Sequence, residues 1–185
     1  MQLENVTLRP LLLSDRQDLA RLINNKKIWD HLRDYIPYPY SETDAEFFIN
    51  LSIADDPVQT FAIENNGRLA GVISILIQKD VYRKSAEIGY WIGEPFWGMG
   101  IATKAVRLIT DYGFCQLNLV RVYAGIFEFN RASMRVLEKN GFEKEGIFRS
   151  AVIKNGNLSD EHRYAKINPS FSLIKNKMEP TSKTD

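Results

Sequence analysis

The run Phe96-Trp97-Gly98-Met99-Gly100-Ile101-Ala102-Thr103 carries residue types that suit a phosphate site. Gly98 and Gly100 let the backbone approach a ligand closely and take dihedrals that other residues avoid. The residues after Gly100 read as the start of a helix, where the first N–H groups lack intrahelical partners and the macrodipole adds positive charge. No acidic residue between Phe96 and Thr110 repels an anion, and Lys104 and Arg107 fall within the first two turns. Two known phosphate signatures fail. Ile101-Ala102 stands where a P-loop needs Lys-Ser or Lys-Thr. A dinucleotide fingerprint needs a third glycine at Thr103 and an acid at the end of the next strand, which has none before Glu128. On the glycines alone, a ligand-free strand-to-helix turn accounts for the loop equally well.

Other chemistries find less support. His31 and His162 are far apart, and with the lone Cys115 they give no metal-ligand spacing, so no metal is expected. One cysteine excludes an intrachain disulfide. Cys115 falls near the end of a predicted helix, where the dipole disfavours a thiolate, so it is not expected to carry an acyl group. Lys plus Arg is 24 against 23 for Asp plus Glu, a net charge of +1. Such a balance offers no field to gather nucleic acid or an anionic membrane, and neither is expected as a partner. The start Met1-Gln2-Leu3-Glu4-Asn5 lacks the basic and apolar regions of a signal peptide. The most apolar stretch, residues 69–77, is too short to span a bilayer. The expected location is cytoplasmic.

These residues must be positioned by a single core, which 185 residues with 44% hydrophobic and 25% charged content can supply. Residues 6–11 alternate as a strand that Pro10 confines to an edge or an end. Ser14 with Gln17, and Thr43 with Glu46, read as capping boxes opening two helices. The second buries Ala45, Phe48, Ile49, Ser52 and Ile53 by its spacing. Between them, residues 29–40 are aromatic and irregular, with Pro37 and Pro39 stopping any helix. Strands follow over residues 60–64, 69–78 and 85–92, the first two joined through Asn65-Asn66-Gly67. A helix from the glycine loop to about Gln116 carries a core stripe of Ile101, Ala105, Leu108, Tyr112 and Cys115. A strand over 119–126, a helix from Asn130 to Asn140-Gly141, and a hairpin over 142–154 and 158–167 complete the order. The strand–helix–strand unit favours one parallel pair in an otherwise antiparallel sheet, a mixed α/β (α+β) fold. Residues 1–168 are expected to form the domain and 169–185 a polar, flexible tail.

Three pieces carry a resemblance: Glu87-Ile88-Gly89-Tyr90-Trp91-Ile92, the glycine loop, and Asn130-Arg131-Ala132-Ser133 with Leu137-Glu138-Lys139-Asn140-Gly141-Phe142. In this order and spacing they resemble the GNAT superfamily, in its RimJ/RimL-type branch of ribosomal-protein N-terminal acetyltransferases. Leu8-Arg9-Pro10 and Ile36-Pro37-Tyr38-Pro39 are similar to that branch too, so the likeness covers residues 6–167. It implies two central parallel strands, 85–92 and 119–126, splayed into a V that holds acetyl-CoA as acetyl donor. The pantetheine arm would pair with the backbone near Trp91 and Ile92, and the pyrophosphate would rest on Trp97, Gly98, Met99, Gly100, Ile101, Ala102 and Thr103. Trp97 departs from the family's usual first loop residue. Asn130, by the same likeness, holds a pantetheine amide, and Ser133 reaches the coenzyme's sulfur. As plain structure, Asn130 is a helix N-cap and Ser133 a small residue allowing close approach.

The implied chemistry is attack of a free amine on a thioester. An amine with pKa near ~10.4 is almost wholly protonated at neutral pH, and an α-amino group near ~7.7–8.0 is not. Glu87 is the candidate base, matching a glutamate of the branch; a surface carboxylate in a cross-strand pair is the plain alternative. Many members protonate the leaving thiolate with a tyrosine where this chain has Leu137. Ser133, a water or solvent must then serve. Trp29, Tyr35, Tyr38 and Tyr40 are the candidate acceptor wall, or equally a lid over the core. That segment holds no strong acidic cluster, so a polyamine is less expected than a peptide N-terminus. The partners expected are acetyl-CoA and an amine acceptor, with the chain a monomer or homodimer. A small-amine acetyltransferase and a non-catalytic acyl-CoA-binding module are the competing readings.

Overall fold

The structure is a computed structural model and describes residues 1–171. One sheet of eight strands organises it: β1 (Gln2–Leu3), β2 (Val6–Pro10), β3 (Thr60–Asn65), β4 (Arg68–Ile77), β5 (Ser85–Ile92), β6 (Arg121–Phe127), β7 (Glu143–Lys154) and β8 (Asn157–Ile167). Their spatial order is β1-β2-β3-β4-β5-β6-β8-β7, and every neighbouring pair is antiparallel except β5 with β6. The expected mixed sheet with one central parallel pair is the sheet observed. The two hairpin turns adopt positive φ at Asn66 and Gly67 (51° and 74°) and at Asn155 and Gly156 (51° and 77°). Such turns match the right-handed twist of the strands they join.

Helices α1 (Arg16–Ile23), α2 (Lys26–Trp29), α3 (Glu42–Ile53), α4 (Ile101–Cys115) and α5 (Arg131–Lys139) flank the sheet. The core runs from Val6 and Leu8 through Ile63, Ile73 and Ile75 to Ile109 and Leu137, all essentially inaccessible. No helix among the described residues is long and apolar enough to cross a membrane.

Several sequence expectations require correction. Ser14 does not cap α1. It lies within a 3-10 turn over Leu13–Asp15, and the Asp15 carboxylate reaches back to the Leu12 N–H at 2.8 Å. Ser41, not Thr43, caps α3: its hydroxyl accepts from the Asp44 N–H at 3.1 Å while Asp44 accepts from the Ser41 N–H at 2.8 Å. The chain is still extended at Ser41, so the first residue able to cap takes the role. Ile53 is exposed rather than core, being the last residue of α3. The α4 stripe is right at Ile101 and Ala105, and Leu108 and Tyr112 pack against the core half-buried, but Val106, Ile109, Thr110 and Gly113 complete the buried line and Cys115 is exposed. At Gly113 the sequence carries no signal of that line. A Cβ there would meet Ile75 Cδ1 at 2.7 Å, so this sheet-facing position has no side chain to mark it as apolar. Of the expected tail, residues 172–185 lie outside the described residues.

Arg9 ties β2 to the start of α1. Its guanidinium grips both Asp15 oxygens at 2.7 Å and Glu64 at 2.8 Å. Burial alone would raise the Asp15 pKa, but the bonds from Arg9 and the Leu12 N–H outweigh it and hold the carboxyl below its ordinary value. A depressed carboxylate contributes stability above its unfolded pKa of ~3.9, and that contribution disappears as the pH falls through the folded value. Asp15→Asn is therefore expected to cost about 1–3 kcal/mol at pH 7 and to flatten the loss of stability as the pH falls below about 4. Denaturant titrations of both proteins across that window check it; parallel curves would contradict the assignment.

Candidate active site

The β5–β6 pairing covers Ser85 with Arg121, Ala86 with Val122 and Glu87 with Tyr123, and then stops, although β5 continues to Ile92 and β6 to Phe127. The strands have splayed. At one end of β5 the Gly93 N–H donates to the Ala70 carbonyl, and at the other Ser85 accepts from the Gln78 N–H. Alternation along a strand therefore turns the odd-numbered residues toward β4, and the backbone groups of Ile88, Tyr90 and Ile92 toward the gap left by β6. The backbone of Trp91 faces Val72 across β4. The Trp97 indole N–H donates to the Ile92 carbonyl at 2.7 Å, which uses one of the two lone pairs of that acceptor.

After β5 a 3-10 turn over Glu94–Phe96 leads to the glycine loop. Gly98 and Gly100 have φ of 76° and 72°, a region that L side chains rarely adopt, and a Cβ built on either meets nothing within 4 Å. Gly100 is the N-cap of α4 without any side-chain acceptor, and the first turn holds no acid. Helical bonding starts with the Lys104 N–H to the Gly100 carbonyl at 3.2 Å. The preceding amides of Ile101, Ala102 and Thr103 lie before that ladder, at the positive end of the dipole. Open space above unpaired amides fits a pyrophosphate. Ile101 anchors the turn in the core, whereas Trp97 and Met99 are exposed. Lys104 is turned away from the loop, holding Asn5 Oδ1 at 2.8 Å and Glu4 at 2.7 Å.

Across the gap stands α5. Asn130 caps it, its Oδ1 accepting from the Ser133 N–H at 3.1 Å. The Tyr90 hydroxyl donates to the Ser133 carbonyl at 3.3 Å, bridging β5 to α5, and burial pushes its phenol pKa up. Asn140, read from the sequence as part of a helix stop and of the 137–142 piece, donates from Nδ2 to the Thr103 carbonyl at 3.1 Å. It thereby joins the end of α5 to the first turn of α4.

A cavity of about 800 Å³ opens from this gap toward α1 and α3. Trp91, Asn130 and Ser133 line it on the α5 side, and Arg33, Tyr35 and Tyr40 on the other. Trp29 and Tyr38 are not among its walls. Their rings are 5.5 Å apart, and the Trp29 indole N–H donates to the Ile36 carbonyl at 2.8 Å, behind the wall segment. Tyr40 is buried, and its burial together with the Asp44 charge pushes its pKa up to about 12. The segment 29–40 has no acidic cluster, yet Asp44, Asp55, Glu87 and Glu161 converge on the cavity from α3, its exit, β5 and β8. Glu87 is ion-paired with Arg33. Glu161, which sequence reasoning missed, pairs with Arg163 at 2.6 Å and lies so close over Gly125 that a Cβ there would come within 2.6 Å of it. Its only sequence signal was an adjacent pair of acids, Asp160 and Glu161, in a predicted strand. Leu137 is wholly buried and Cys115 lies away from the cavity walls.

A mixed sheet splayed at one parallel pair, with bare amides at a helix start beside the opening, makes a wedge with an anion-binding end. Residues 5–143 match the acetyltransferase (GNAT) domain, so the chain belongs to the GNAT family and is an acyltransferase. This sets aside the reading of a non-catalytic module. The chain is 40% identical over 128 residues to the probable N-acetyltransferase YjcK of Bacillus subtilis, covering 69% of this chain and 65% of that relative. It is 32% identical over 158 residues to spermidine N(1)-acetyltransferase of Escherichia coli, covering 82% and 80%. Among solved structures it resembles RimL, a ribosomal L7/L12 α-N-protein acetyltransferase in complex with coenzyme A, with TM-score 0.78, 27% identity and coverage of 88% and 94%.

Proposed function

We propose that the chain moves the acetyl group of acetyl-CoA directly to a primary amine, with a protein or peptide N-terminal α-amino group as lead acceptor, in the cytoplasm. The observation that carries this reading is the opened parallel pair: β5 runs on unpaired by β6 past Glu87, a wall of the cavity, toward the bare start of α4. Acetyl-CoA supplies an activated acyl carbon. The amides of residues 98–103 hold its pyrophosphate, and the free edge of β5 at Tyr90 and Ile92 orients its arm. Asn130 and Ser133 close the opposite side. The β5 amides that face the gap also donate to negative charge developing during transfer.

Glu87 removes the proton that keeps an ammonium from attacking. Glu87 pairs with Arg33, and an arriving ammonium would take the place of that cation. Ser133 is assigned to the departing sulfur, since Leu137 has no proton to give. No acyl-enzyme is expected, because Cys115 is not in the cavity. A second reading, a polyamine acceptor, is favoured by the carboxylates Asp44, Asp55, Glu87 and Glu161.

A thiol-release assay over N-terminal peptides, spermidine, spermine and aminoglycosides tests the reading. Peptides with a free α-amine are expected to give the highest kcat/KM. A preference for spermidine would transfer the assignment to the second reading, and no turnover on any of them would refute both.

A further inference from the structure

Lys154, the last residue of β7, is an unusual lysine: its side chain is only 4% exposed. Its ammonium lies 3.4 Å from the centroid of the Trp29 ring and 2.6 Å from Asp34 Oδ1. A long, flexible, charged side chain is rarely buried unless partners fix it, and a desolvated cation over an indole face gains more than an exposed one. The next residue adds a second tie, Asn155 Nδ2 donating to Asp30 Oδ1 at 2.8 Å. The tip of the β7–β8 hairpin thus grips the outer side of the segment whose inner side walls the cavity with Arg33 and Tyr35. Trp29 passes the grip inward through its bond to the Ile36 carbonyl, and Arg33 extends from the same segment to Glu87.

We propose that Lys154 is a positioning residue for the amine acceptor: through Trp29 and Asp34 it fixes the wall that holds Arg33 and Tyr35 over Glu87. The proposal rests on the acceptor side of the cavity assigned above. Lys154 is not among the residues that line the cavity and acts through the wall segment, so its effect is expected on acceptor binding rather than on the coenzyme.

Two measurements on the full chain test this. In hydrogen–deuterium exchange, the amides of His31, Leu32 and Ile36, which are bonded within the segment at 2.9, 2.9 and 3.1 Å, are expected to exchange about tenfold faster in Lys154→Met. Residues 101–104 should be unchanged, and Lys154→Arg should restore protection because a guanidinium can both stack and pair. In the thiol-release assay, Lys154→Met is expected to raise the acceptor KM about tenfold with kcat and acetyl-CoA affinity within about twofold. Unaltered exchange over 31–36, a uniform rise across the sheet, or a fall in kcat at constant KM would overturn the proposal. If the unaltered protein acetylates no acceptor, the assigned activity fails instead, and the exchange comparison still decides whether Lys154 holds the wall.

Discussion

Gly100→Val is expected to weaken acetyl-CoA binding about a hundredfold while leaving the protein folded. At φ of 72° a β-branched residue is strained by about 1–3 kcal/mol, which the loop relieves by rotating its peptide planes. That rotation disperses the amides of Ile101, Ala102 and Thr103, whose common direction is what an anion requires. The open space around the Gly100 Cβ direction means that no packing clash accompanies the change, so a melting curve should shift by only a few degrees. The same space is where the phosphates are assigned, so the valine side chain also excludes them. Gly100→Ala should show the same effect more weakly. Titration calorimetry with acetyl-CoA measures both variants, and affinity equal to that of the unaltered protein would remove the loop from the site.

Glu87→Gln is expected to lower turnover by about 10²–10³-fold with acetyl-CoA affinity within about twofold. Glutamine keeps the length of the side chain and can still accept a bond from Arg33, but it cannot take a proton from the amine. The loss should shrink as the assay pH rises toward the acceptor's own pKa, because the free-base fraction then grows without help. An α-amino acceptor would reach that point near pH ~8, well before a side-chain amine. Unchanged turnover in Glu87→Gln with a large loss in Glu161→Gln would reassign the base to the second carboxylate over the cavity.

Much of the scaffold around this chemistry is legible in the residues themselves. The span of β5, the Asn130 cap, both Asn-Gly turns and the glycine-started α4 each follow from short-range rules about periodicity, capping and positive φ, which need no knowledge of the rest of the chain. Where competing local options exist, the reading slips by a residue or two, as at Ser41 against Thr43. In α4 one buried position is hidden for a different reason, since the sheet-facing Gly113 has no side chain to register. The cavity is the least legible part. Asp44, Asp55, Glu87 and Glu161 are scattered acids until the sheet gathers them, and nothing around Lys154 announces a partner in Trp29, 125 positions earlier. The backbone polarity of β5 is also hidden: only the observed register shows that Tyr90 and Ile92, rather than Trp91, open toward the gap.

The proposed activity requires that the splayed strands and the bare start of α4 grip an acylated coenzyme. Titration calorimetry of the purified chain with acetyl-CoA, followed by free coenzyme A, tests this most directly. One saturable site per chain with affinity on the order of micromolar is predicted, weakened by Gly100→Val and preserved in Glu87→Gln. A folded protein that binds neither compound would contradict it.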